Sequence, residues 1–258
     1  MNIVFGILIP FLGTTLGAAC VYFLRNELNP RIQKMLLGFA SGVMTAASVW
    51  SLIIPSIDSS HAMGTFSFVP AAAGIALGIA FLFFLDEIIP HLHAHSEKPE
   101  GPESHLPQKT MMFLAVTLHN IPEGMAVGVV FAALAAESPG VSLAAAAALS
   151  IGIAVQNFPE GAIVSLSQAE KGQSRHKAFA YGVASGAVEP AAAVITILLK
   201  SVIAALLPYL LSFAAGAMLY VVVEELIPEA SREPHSNLGT IGFASGFILM
   251  MILDVALG

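Results

Sequence analysis

The sequence predicts an all-α polytopic membrane protein, with eight transmembrane helices in an inverted 3+2+3 repeat. Three observations predict it. First, the 258 residues are 57% apolar and only 10% charged, with a mean hydropathy of +0.83. Soluble domains carry about 25% charged residues, so this chain has too few charges to cover a water-facing surface and is expected to be solvated by lipid. Second, the apolar runs are long and lack strand alternation. Helices, not a barrel, then satisfy the backbone in the bilayer, and at roughly 20 residues per crossing about eight or nine fit. Third, the chain repeats itself.

The spans are predicted near 3–24, 34–56, 68–89, 110–136, 141–168, 176–199, 201–228 and 238–257, forming one transporter-sized domain over 1–258. The run from Met1 to Leu24 has no positive n-region and reads as the first helix, not a cleaved signal. Of ten basic residues, nine (Arg25, Arg31, Lys34, Lys98, Lys109, Lys171, Arg175, Lys177 and Arg232) fall in alternate loops. Only Lys200 falls on the other side. By the positive-inside rule both termini face away from the cytoplasm. The polar segment 91–109 is then a cytoplasmic loop. Its His91, His93 and His95, at every second position, suit either a solvated linker or transient metal capture.

The repeat is carried by three matches. Leu37–Pro55 in span 2 contains LGFASGVM and LIIP, and Leu211–Pro228 in span 7 contains LSFAAGAM and ELIP, with a one-residue slip before the proline. Gly74, Gly78 and Asp86 in span 3 have the spacing of Gly242, Gly246 and Asp254 in span 8. Spans 4 and 5 carry NIPEG (Asn120–Gly124) and NFPEG (Asn157–Gly161). With the orientation above, the members of each pair run in opposite directions, the arrangement that places a binding site at the repeat interface near mid-membrane.

The chemistry concentrates in spans 4 to 6. On a helix Glu123 lies one turn from His119 and Asn120, and Glu160 relates identically to Gln156 and Asn157. Each glutamate can share one metal with its i−4 neighbour and another with its i−3 neighbour. Pro122 and Pro159 free the carbonyls of Leu118 and Val155, which need a partner at membrane depth. Glu189 precedes Pro190 in span 6. A charge at the bilayer centre costs about 2.5–3.5 kcal/mol on insertion scales, so three glutamates cost roughly 8–10 kcal/mol unless neutralised. No lysine or arginine lies at their depth, which leaves bound cations or protonation.

A single cysteine, Cys20, excludes a disulfide framework and a thiolate site. The net charge of −7 without a basic stripe argues against a nucleic-acid partner. Imidazole at His119 with oxygen ligands favours zinc, iron(II), manganese or cadmium over calcium or magnesium. Elsewhere Ser51 and Asp58 follow span 2 outward, with Asp58 near the outer mouth. Asp86, Glu87 and His91 close the inner end of span 3, and Glu224, Glu225 and Glu229 that of span 7. These acidic ends read equally well as solvated helix termini.

At these residues the sequence resembles the ZIP (Zrt-, Irt-like protein) family of metal transporters, and within it the GufA-like branch. The resemblance covers nearly the whole chain and is most specific at LHNIPEGMAVGV (Leu118–Val129), QNFPEGAIV (Gln156–Val164) and SGAVEP (Ser185–Pro190). It implies an eight-helix ZIP fold with a binuclear site. One ion would sit on His119, Glu123, Gln156 and Glu160, the other on Asn120, Glu123, Asn157, Glu160 and Glu189. It also implies a transport path past Met44 and Ser51, an entrance acid at Asp58, and loop histidines at His91, His93 and His95. Two departures stand out: relatives of that branch carry Asp where this chain has Asn157, and His-Glu where it has Glu224-Glu225.

The expected function is transport of zinc and similar dications toward the cytoplasm, with the ion as cargo and no prosthetic group. Metal ions and the lipid bilayer are the expected partners, with a homodimer held open, in a bacterial inner (plasma) membrane. A metal-gated channel or sensor remains an alternative. An intramembrane metallohydrolase would need an open metal position and a general base, and no H-E-x-x-H helix occurs.

Overall fold

The computed structural model describes residues 2–24, 28–92, 99–138 and 141–257, and only the backbone of 200–205. Eight helices among them are long and apolar enough to cross a membrane. Spans 1 to 4 are Ile3–Tyr22, Pro30–Asp58, Phe68–Ile88 and Gln108–Ala135. Spans 5 to 8 are Leu143–Glu170, Arg175–Leu198, Leu206–Ser231 and Leu238–Leu257. No strand forms among the described residues; one isolated bridge joins His91 to Glu100.

The helix starts follow local chemistry. Asn2, Asn29, Ser142 and Ser174 each accept a hydrogen bond from a first-turn amide, and Pro30 opens span 2 where its missing N–H costs nothing. Spans 4 and 5 run on through Pro122 and Pro159. Span 6 turns at Ala187, between Arg175–Gly186 and Val188–Leu198, directly before Glu189.

The repeat seen in the sequence has a structural counterpart. Span 2 widens into a π-helical stretch at Ser48–Ile53, and span 7 does so at Val222–Leu226, each ending just before its matched proline. The stretches hold six and five residues, so the one-residue slip falls inside them. A wider turn absorbs an extra residue without breaking the helix.

Helix pairing obeys the same symmetry. Span 1 packs on span 5 and span 6 on span 4; span 2 packs on span 8 and span 7 on span 3. Glycines set these approaches. A Cβ added at Gly42 would meet the carbonyl oxygen of Phe243 at 2.1 Å, and one at Gly216 would meet that of Ile75 at 2.3 Å. Without a hydrophobic force between helices in lipid, such backbone contact supplies the packing energy. The lipid-facing surface carries Phe5, Phe83, Ile195 and Val255, all more than half exposed.

The polar contacts at one end of the bundle join the loops that carry the basic residues. Lys34 Nζ donates to the carbonyls of Arg232 and Pro234, Arg175 Nη1 to that of Tyr22, and Lys171 Nζ contacts Met112 Sδ. Arg31, Lys34, Lys109, Lys171, Arg175, Lys177 and Arg232 therefore share one end. Arg25 and Lys98 lie outside the described residues.

Candidate metal centre

Spans 4, 5 and 6 bring their polar residues into one buried layer. Asn120, Glu123, Gln156, Asn157 and Glu189 are each at most 1% exposed. Close packing explains how they meet: a Cβ on Gly124 would strike the backbone of Glu189 at 2.3 Å, so the chain immediately after Glu123 lies against Glu189. Glu160 and Glu189 both act electrostatically on Glu123.

Side-chain amides orient the layer. Gln156 Nε2 donates to Glu123 Oε1 at 2.5 Å and to Asn157 Oδ1 at 2.9 Å. Asn120 Nδ2 donates to the Ser185 carbonyl at 3.0 Å, and Thr14 Oγ1 donates to Glu189 Oε1 at 2.8 Å. Each amide thereby turns its N–H groups toward the protein. What remains is a set of buried oxygens without a hydrogen-bond partner: Asn120 Oδ1, Glu123 Oε2, Gln156 Oε1 and Glu189 Oε2. Buried acceptors left bare are costly, and here four of them sit on three adjoining helices, oxygens of the kind a divalent cation could bind. Asn157 differs. Its oxygen already accepts from Gln156, and its bare atom is the donor Nδ2.

His119 and Glu160 sit at the edge of this layer and line a cavity of about 70 Å³, large enough for several waters. Glu225 lines it too, with Nδ1 of His119 paired to its Oε2. Beyond them the cavity passes Gln33, Gln168 and Glu229 toward the basic end of the bundle. On the opposite side, span 2 is closed. Met44, Ser48 and Leu52 are at most 1% exposed, and Ser51 Oγ donates to Asp254 Oδ1 at 2.6 Å.

The remaining sequence-singled residues lie apart from the layer. Asp58 is exposed at the far end of span 2, with His61 at 3.9 Å. Asp86, His91 and Glu100 form a cluster whose ligand atoms lie within 4.8 Å of one another. His91 is fully buried there, its Nε2 3.0 Å from Asp86, while Tyr220 OH donates to the other Asp86 oxygen at 3.0 Å. Glu224 is exposed and does not line the cavity. His93 and His95 lie outside the described residues. Sequence reasoning passed over Thr14, Gln168 and Glu100. Thr14, a hydroxyl amid the apolar run of span 1, was the one with a legible signal.

The model of the ZIP zinc transporter family matches residues 100–254, which contain this entire layer apart from Thr14. The chain belongs to the ZIP family. Among its relatives in that family, zinc transporter ZIPB of Bordetella bronchiseptica is 38% identical over 96% of this chain and 79% of its own length. Zinc transporter GufA of Myxococcus xanthus is 37% identical over 95% and 94%, and zinc transporter ZIP11 of Homo sapiens 34% over 95% and 94%. Family membership and eight apolar helices make the ZIP chain an integral membrane protein.

Proposed function

We propose that this ZIP chain carries zinc, and with it iron(II), manganese and cadmium, toward the cytoplasm through the layer of spans 4 to 6. The four bare, buried oxygens carry this reading. They are oxygens of the kind a divalent cation takes as ligands, and among the described residues no lysine or arginine lies at their depth to substitute for one. The names of the relatives point to the same cargo. His119, Glu123, Gln156 and Glu160 hold the first ion; Asn120, Asn157 and Glu189 complete a second position that shares the two glutamates. The cavity through His119, Glu160 and Glu225 is the exit, and the closed outer half of span 2 makes this an inward-facing state.

The direct test is uptake by the purified full chain in sealed liposomes, loaded outside with zinc and challenged with each competing dication. Saturable, steeply temperature-dependent accumulation is expected. Flux that never saturates would favour a channel, and no flux at all would remove the transport reading.

The orientation is tested separately. A C-terminal reporter that fluoresces only in the cytoplasm is expected to stay dark, because the basic loops hold the other face inside. A bright fusion would reverse the direction assigned to the cavity.

The second ion position is the weaker one. Three glutamates supply −3 against +4 for two dications, and uncompensated charge at depth is expensive. The engagement of Asn157 Oδ1 by Gln156 points the same way. Asn157→Asp restores −4 against +4 and is expected to raise bound zinc from about one toward two ions per chain, read after dialysis at fixed low free zinc. Two tightly held ions in the native chain, or no gain in the variant, would contradict this.

A further inference from the structure

We propose that Thr14 of span 1 sets the metal preference of the second ion position by holding Glu189 to one-oxygen ligation. The inference rests on the proposed site and adds a residue outside the motifs of spans 4 to 6.

Thr14 is 2% exposed and sits where three helices meet. A Cβ added at Gly161 of span 5 would strike its carbonyl oxygen at 2.1 Å, and one at Gly186 of span 6 would meet its Cβ at 2.8 Å. This confinement fixes the side chain. Its hydroxyl donates to Glu189 Oε1 at 2.8 Å, across 175 residues of sequence. Its other contact, to the Pro10 carbonyl at 3.5 Å, is far longer. Glu189 Oε1 is therefore occupied, while Oε2 is buried and accepts no hydrogen bond of good geometry; the Asn157 side chain neighbours the carboxylate.

A carboxylate with one oxygen held by a donor offers a metal the other oxygen alone. Small, low-coordinate zinc is satisfied by single oxygens at short distance. Larger ions take more ligand atoms and use carboxylates with both oxygens. The hydroxyl thus favours zinc over a larger dication, without itself touching the ion. A hydrogen bond to a charged group is among the stronger ones in a protein, enough to hold the carboxylate against rotation.

The test is competitive uptake of zinc and cadmium by the full chain in liposomes. Thr14→Val keeps the shape and removes the hydroxyl; Thr14→Ala also removes it and cannot crowd Gly161 or Gly186; Thr14→Ser retains it. Both hydroxyl-free variants are expected to shift the zinc-to-cadmium KM ratio about five- to tenfold toward cadmium, with Thr14→Ser staying within about twofold of the native chain. A purely packing role would change yield or overall rate and leave the ratio alone. An unchanged ratio in Thr14→Ala overturns the proposal, as does a Thr14→Ser shift equal to that of Thr14→Val. Glu189→Ala separates the two levels. If it leaves the KM for both metals unchanged, the ligand assignment of Glu189 falls and the role of Thr14 with it. If it raises them while the Thr14 variants keep the native ratio, only the role of Thr14 is lost.

Discussion

Glu123→Ala is expected to abolish metal uptake while the protein still inserts and runs as a monodisperse species in detergent. Glu123 is the one side chain in the layer that is wholly buried, offers a bare oxygen and also accepts the hydrogen bond that orients Gln156. Its removal withdraws a carboxylate from both proposed ion positions and releases the Gln156 amide. Loss of a shared charged ligand costs several kcal/mol of ion binding, and each 1.4 kcal/mol is tenfold, so uptake is expected to fall by at least about a hundredfold. Removing a buried charge relieves an insertion penalty, so expression is expected to be retained or improved. Near-normal zinc uptake by Glu123→Ala in liposomes would show that the site has been placed wrongly. Glu123→Gln keeps the volume and the acceptor for Gln156 but lacks the charge. Its failure alongside Glu123→Ala would assign the loss to ligand charge and not to packing.

Gly124→Val is expected to disrupt the bundle itself. The added Cβ would lie 2.3 Å from the carbonyl oxygen of Glu189, 2.8 Å from its Cα and 2.9 Å from the Cβ of Ala192. The first two are backbone atoms, which no rotamer change can move aside. Spans 4 and 6 must separate where Gly128 also packs on Ala193, and overpacking of this kind costs about 3 kcal/mol. A marked drop in the thermal midpoint of the detergent-solubilised protein is the readout, with the lost midpoint not recovered by zinc. Gly124→Ala is expected to fall between native and valine. A valine variant with native stability would mean that spans 4 and 6 do not approach as closely as described.

The sequence by itself determined the class, the span count and the repeat. Low charge and long apolar runs leave only helices in lipid, and this holds whatever the helices do to one another. It also singled out the layer of Asn120, Glu123, Gln156, Asn157 and Glu189, with His119 and Glu160 at its edge, because these are polar groups set among apolar neighbours, where polarity is costly. The slip between Leu37–Pro55 and Leu211–Pro228 was visible as a mismatch. That it is absorbed by π-helical turns was not, because one residue more or less in a helix leaves no mark in composition.

The tertiary structure decided which polar atoms are left bare and which are held by a neighbour. Gln156 and Asn157 look alike in sequence, yet one presents a bare oxygen and the other a bare amide nitrogen. That difference comes from who donates to whom, a property of contacts between helices. Glu224 and Glu225 are adjacent and chemically identical, but the turn at Val222–Leu226 aims only Glu225 at His119 and the cavity. Thr14 is 175 residues from Glu189, so no spacing rule within either span connects them. Their hydrogen bond exists because Gly161 and Gly186 let span 1 approach to backbone contact, and close approach is decided by pairs of surfaces, which a single helix does not contain.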